Sequence, residues 1–217
     1  LLASFLTVGF LVAGVSAFRW LIGDRSREVR SMLKTGVTIG ALLIPLQIYM
    51  GDLHGLNTLE HQPAKVAAME GNWETQTNVP LLLFALPDEE ARENRWEVGI
   101  PNLASLILTH HADGEVPGLN DFVAEDGEPL HPPVGTVFWS FRTMVGAGLA
   151  MLFVSWASVW FMWRRRHLHE GRIAGHRMAV EGLPKPLLWA LVPMAFSAWV
   201  ATLAGWCTTE IRRQPWL

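Results

Sequence analysis

Two carboxylates, Glu70 and Glu74, stand four residues apart in a segment, Gln62 to Glu74, that reads as a short helix with Pro63 in its first turn. On one helical face, like charges at i, i+4 disfavour both being ionised, so one of the two could accept a proton from a hydroquinone. Gln62 and Lys65 share a face at i, i+3. The plain alternative is a solvated acidic face, and spacing alone leaves both readings open.

A second group lies in apolar surroundings. Arg142 interrupts the segment Val134 to Trp163, where an arginine at mid-membrane costs roughly 2.5–3.5 kcal/mol. Thirty helical residues extend about 45 Å, longer than a hydrocarbon core of roughly 30 Å, so Arg142 can sit near the outer boundary. It either snorkels there or faces an anion or redox group inside the bundle. Met144 follows, with Gly148 one turn on and Gly146 between. A thioether beside small residues could ligate a haem iron, or be core filler in a close-packed span. Further on, Trp199, Leu203, Trp206 and Glu210 fall on one helical face. Arg212 and Arg213 then lie on the side the topology makes outer, against the positive-inside trend, where pairing with anionic groups is one explanation and an artefact of truncation another.

These residues need a scaffold, and the composition supplies one. Half of the 217 residues are hydrophobic and 17% are charged, against roughly 25% in ordinary soluble domains. The charges cluster: Leu1 to Phe18, Thr35 to Gly51, Thr143 to Trp163 and Pro186 to Thr209 carry none. A spanning helix needs about 20 such residues, so four transmembrane helices are expected, at 1–21, 35–53, 134–163 and 186–210. The segments 22–34 and 164–185 are rich in Arg and Lys, whereas Asp52 to Pro133 holds three basic against fifteen acidic residues. The positive-inside rule makes the two basic segments cytoplasmic and the loop 54–133 outer, which in a bacterium is periplasmic, with 211–217 starting a further outer segment.

Within the loop, Val79 to Leu86 and Val98 to Leu108 are apolar runs that fit strands, surface helices or pocket walls equally well. Trp20, Trp139, Trp163, Trp189, Trp206 and Trp216 fall near span ends, as an interfacial aromatic belt would. The lone Cys207 excludes a disulfide framework or thiolate cluster. The chain opens in mid-hydrophobic run without the marks of a signal peptide, and both ends look like truncations.

Three ordered blocks carry a resemblance. Gly51-Asp52-x-x-Gly55 with Gln62-Pro63-x-Lys65-x-Ala67-Ala68-x-Glu70-x-x-Trp73-Glu74-Thr75 resembles the quinol-binding loop of cytochrome bd quinol oxidase subunit I. Phe138-Trp139-Ser140-Phe141-Arg142-x-Met144-Val145-Gly146 resembles the helix after that loop, and Gly205-Trp206-x-x-Thr209-Glu210-x-x-Arg213-Gln214-Pro215-Trp216 the family's next block. The short loop resembles the branch that includes cyanide-insensitive oxidases.

The resemblance implies an all-α integral membrane protein whose four spans are helices five to eight of nine, with a long outer quinol-binding loop. It implies that Gln62, Lys65 and Glu70 bind and oxidise quinol. Met144 would ligate a low-spin haem b with Arg142 as its electrostatic partner, and Glu210 would ligate a high-spin haem b. Trp206 would lie between the haems and Arg213 in the haem site. A third haem, d or a further b, is implied, as are dioxygen, ubiquinol or menaquinol, a subunit II, a small accessory subunit and a bilayer in the bacterial inner membrane; no nucleic acid is.

The chain departs from the family at Arg212, where Gly is usual. Its eight histidines are all read as loop residues, so the histidine partner of Met144 is expected just upstream of Leu1, and this chain alone is not expected to be an oxidase. The competing reading is a non-catalytic membrane anchor or transporter with an outer loop, which explains the spans but not the three blocks.

Overall fold

In the computed structural model, residues 1–125, 128–168 and 179–211 are described, with 165–168 as backbone alone. The chain divides into two compact units, Leu1–Tyr49 with Val145–Thr202, and Met50–Met144 with Leu203–Leu217.

The first unit is helical. It takes in α1 (Leu2–Leu21), the first part of α2 (Arg27–His61), most of α5 (Val134–Leu168), α6 (Lys185–Met194) and the start of α7 (Ser197–Glu210). Small residues let the backbones meet, as between packed membrane helices. A Cβ on Gly14 would lie 2.8 Å from the Leu191 carbonyl oxygen of α6, and one on Gly36 of α2 would lie 2.7 Å from the Gly9 oxygen of α1. Around these contacts Ala13, Leu33, Val37, Met162 and Leu191 form one buried cluster, and Leu6, Phe10, Ile44, Met151 and Ala198 another.

The opposite faces stay apolar and uncovered. Leu149, Phe153, Trp156, Trp160 and Trp163 recur at helical spacing along α5 and are all exposed, Phe153 to 74%. Such a stripe suits a surround of lipid or protein rather than water. Among the described residues, three helices, α1, α2 and α5, are long and apolar enough to cross a membrane, which gives four spans if α6 and α7, bent by 42°, form one broken span. Pro193, inside the last turn of α6, supplies the break because it offers no N–H and crowds the preceding turn.

Pro45 leaves a similar defect inside α2, since the Ala41 carbonyl four residues earlier loses its helical donor. The Trp156 indole of α5 donates to that carbonyl at 3.0 Å. The expected aromatic belt is only partly seen: Trp139, Trp163, Trp189 and Trp206 are exposed, but Trp20 is 4% exposed, buried under the Arg25 guanidinium 4.0 Å from its ring. Trp216 lies outside the described residues.

The second unit departs from the all-α expectation. The run Val79 to Leu86 becomes strand β1 (Leu81–Asp88), and Val98 to Leu108 divides between the end of β2 (Glu93–Ile100) and helix α4 (Leu103–Thr109). The strands form an antiparallel hairpin. At its turn Asp88 accepts the amides of Glu90 and Ala91, each at 3.1 Å, and pairs with Arg95. The Ala91 amide bond, with help from Arg95, holds the Asp88 carboxyl below the usual carboxylate range. The described residues are thus mostly helical with one hairpin, because these apolar runs are too short for spans and pair with each other instead.

Helix α2 runs on to His61 and α5 to Leu168, so His54, His61 and His167 are helical rather than loop residues. Helix α3 (Pro63–Glu70) begins with Pro63, whose missing N–H costs nothing in a first turn, and stops at Gly71 in the left-handed conformation, φ +69°. The helix therefore does not reach Glu74.

Candidate functional site

Ending α3 at Gly71 breaks the expected Glu70–Glu74 face. Glu74 is exposed, whereas Glu70, the last helical residue, is buried and meets a different partner. Its Oε2 lies 2.8 Å from Nη2 of Arg142 on α5, with side chains 7% and 10% exposed respectively. The Arg142 Nε donates to the Leu82 carbonyl oxygen of β1, and the guanidinium sits 4.6 Å from the Phe138 ring centroid and 5.4 Å from that of Phe141. A buried ion pair must regain what desolvation costs through further bonds. Arg142 does so with one carbonyl and two aromatic faces.

Lys65, one turn and a half before Glu70, is also buried, and its Nζ donates at 2.8 Å to the Thr209 carbonyl oxygen. That oxygen lies in the last turn of α7, where carbonyls lack helical donors and a cation complements the helix dipole. Helix α3 is thereby tied at Lys65 to the end of α7 and at Glu70 to α5. Gln62 does not join this arrangement: it is the exposed N-cap of α3, and its backbone oxygen accepts the Lys65 amide at 3.0 Å.

A network not anticipated from the sequence fixes the far end of α3. Asn94 of β2 donates to the Gly71 carbonyl oxygen at 2.9 Å and accepts the Trp73 indole N–H at 3.0 Å. Asn72 donates to the carbonyls of Val116 and Pro117. Gly71 has room for no more, since an added Cβ would lie 3.2 Å from the Phe138 ring. Beside this network opens a cleft of about 370 Å³, whose lining includes Glu70, Trp73, Leu82, Asn94, Trp96 and Glu97. The volume lies within the range of small-ligand sites. The hairpin that supplies part of that wall was legible only as two apolar runs, and Asn94 carried no signal in sequence.

Met144 lies two residues after Arg142. Its sulfur approaches Gly205 of α7: a Cβ added there would lie 2.8 Å from Met144 Sδ. The space above Gly146 and Gly148 is open, with nothing within 4 Å of an added Cβ. Trp206 and Glu210 are exposed one turn apart on α7. Arg213 and the substituted Arg212 lie outside the described residues.

Residues 1–217 match the family model described as cytochrome bd terminal oxidase subunit I. The chain is 31% identical to the cytochrome bd ubiquinol oxidase subunit 1 of Bacillus subtilis, over 97% of this chain and 43% of that protein. It is 27% identical to the cytochrome bd-II ubiquinol oxidase subunit 1 of Escherichia coli, over 99% of this chain and 51% of that protein. The bd oxidase structure from Geobacillus thermodenitrificans superposes with a TM-score of 0.79 at 28% identity, covering 99% of this chain and 45% of that one. The chain spans about half the length of these relatives.

Proposed function

The chain belongs to the cytochrome bd terminal oxidase subunit I family, and on that premise we propose that it forms part of a membrane-bound quinol:oxygen oxidoreductase in which Glu70 receives a proton from the hydroquinone. The observation that carries this reading is the buried Glu70–Arg142 pair at the wall of a cleft large enough for a quinol headgroup.

The residues divide the work by position. Arg142 engages Oε2 of Glu70 and fixes the carboxylate, so a substrate hydroxyl in the cleft donates to Oε1. Oxidation of a hydroquinone to the quinone releases two protons and two electrons, and a fixed anionic acceptor assists the proton loss. Lys65 holds α3 in place through the end of α7 rather than facing the cleft. Gln62, exposed at the mouth of α3, is left as a contact for substrate approaching along the loop.

The Met144 thioether fits a haem iron in chemistry, and Gly205 of α7 leaves its sulfur room. Haems, when bound, supply the one-electron chemistry between hydroquinone and dioxygen. Along α5, Arg142 and Met144 are two residues apart, or about 3 Å of helix rise, so the partner of the proton acceptor and the iron ligand share one rigid element. Glu210, Trp206 and Arg213 are assigned to a high-spin haem b by the family resemblance, with a third haem, d or b, beyond. Subunit II, the inner membrane and a periplasmic position for the loop complete the reading, and the oxidase contributes to proton motive force by releasing quinol protons outside.

The test is Glu70→Gln in the full-length complex. Quinol oxidation is expected to fall at least 10²-fold with haem content unchanged in reduced-minus-oxidised spectra. Wild-type turnover would overturn the assignment.

A further inference from the structure

The outlier in the cleft wall is Trp96. The ladder pairs Phe84 with Val98 and Leu86 with Arg95, so Ala85 alone on β1 faces two residues, Trp96 and Glu97, on β2. This is a β-bulge, a device that re-aims a side chain at the cost of ladder bonds. Trp96 also has φ +55°, a left-handed conformation that is costly for a bulky residue. Strain of this kind persists where surrounding structure over-determines it, and here two restraints flank the bulge. Two residues before it, Asn94 is bonded to Gly71 and Trp73; two residues after it, Val98 resumes the ladder.

The result is an indole that packs on almost nothing, 81% exposed, at the rim of the cleft that Glu70 also lines. A large rigid aromatic gains most by stacking on a planar ring while one edge stays wet. Resting on the reading of this cleft as the quinol site, we infer that Trp96 is a substrate-binding residue whose indole stacks on the quinol headgroup and holds a hydroxyl toward Glu70. The bulge and the Asn94 anchor are then the means by which the hairpin aims the indole.

Kinetics of the full-length oxidase complex with a short-chain ubiquinol and a short-chain menaquinol test this. Trp96→Ala is expected to raise KM roughly 2- to 10-fold, the range of an aromatic pairing, with kcat and haem content near wild type. Trp96→Phe recovers most of the loss. Trp96→Gly relieves the positive φ, so a purely structural role predicts a complex as active as or more stable than wild type, whereas stacking predicts the same raised KM as alanine. An unchanged KM in both the Ala and Gly variants overturns the proposal, including the case in which they weaken only membrane association. Glu70→Gln run in parallel separates the two readings: if it too leaves quinol oxidation intact, the cleft assignment fails; if it alone is defective, only the Trp96 inference fails.

Discussion

Glu70 and Arg142, 72 residues apart in sequence, form a 2.8 Å ion pair that joins the last residue of α3 to α5. The pair answers a question raised by the sequence, whether the arginine of an apolar segment snorkels or faces an anion: it faces the Glu70 carboxylate. On the proposed reading it also ties position to chemistry: the group proposed to take a proton is held by the same bond that docks its helix.

That coupling can be broken on purpose. Arg142→Ala leaves a buried carboxylate unpaired and is expected to destabilise by about 3–5 kcal/mol, read as a lower thermal unfolding midpoint of the full complex. Replacing both partners by apolar residues of similar volume, Glu70→Leu with Arg142→Met, is expected to recover most of that loss, since a buried pair is often worth no more than good packing. Quinol oxidation stays lost in the double variant. If activity returned together with stability, the pair would be structural only.

How much of this the sequence disclosed follows from the range of each interaction. The apolar stretches and their helices were legible because hydropathy and helical spacing are local. So was the stop of α3, because a glycine directly after Glu70 is a helix-ending signal, although the i, i+4 spacing of Glu70 and Glu74 favours a longer helix. The hairpin was not legible, since runs such as Val79 to Leu86 carry no period that separates strand from helix. Residues joined across long separations, Glu70 to Arg142, Asn94 to Gly71 and Gly205 to Met144, become neighbours only in the fold. Lys65 and Glu70 are singled out together by resemblance, yet the structure ties them from one helix to two others, Lys65 to α7 and Glu70 to α5.

Gly205 offers a test of the haem side. With an added Cβ only 2.8 Å from Met144 Sδ, Gly205→Ala forces the sulfur back by roughly 1 Å toward ordinary contact distance. The expected outcome is a shifted or diminished low-spin haem band in reduced-minus-oxidised spectra, resembling a milder form of Met144→Leu. Should Met144→Leu alter the spectrum while Gly205→Ala leaves both band and midpoint potential unchanged, Gly205 has no part in placing the ligand.

The hairpin turn carries a pH signature. Asp88, held below the usual carboxylate range chiefly by the Ala91 amide, is more acidic folded than unfolded. Its stabilising effect is therefore full above the unfolded value of about 3.9 and is lost as pH falls through the lower folded one. Amide hydrogen exchange of the segment holding Glu90 and Ala91 should be slower in wild type than in Asp88→Asn at pH 7. The gap should close only in strong acid. Equal protection of the two proteins at pH 7 would remove Asp88 from the turn's support.

Pro45 and Trp156 make the last prediction, because one residue creates a defect that the other repairs. The proline leaves the Ala41 carbonyl without a helical donor, and the Trp156 indole takes that place at 3.0 Å. In an apolar surround no water substitutes for the lost donor. Trp156→Phe keeps most of the ring surface and removes the N–H, so it should cost about 1–2 kcal/mol. Pro45→Ala restores the intrahelical bond and makes the indole redundant, so Trp156→Phe in that background should cost close to nothing. The measurement is a double-mutant cycle on thermal or denaturant unfolding of the full complex, where residues sharing a partner are expected to be non-additive. Additive losses would mean that the indole is kept for surface packing along the exposed stripe of α5 and not for the carbonyl of α2.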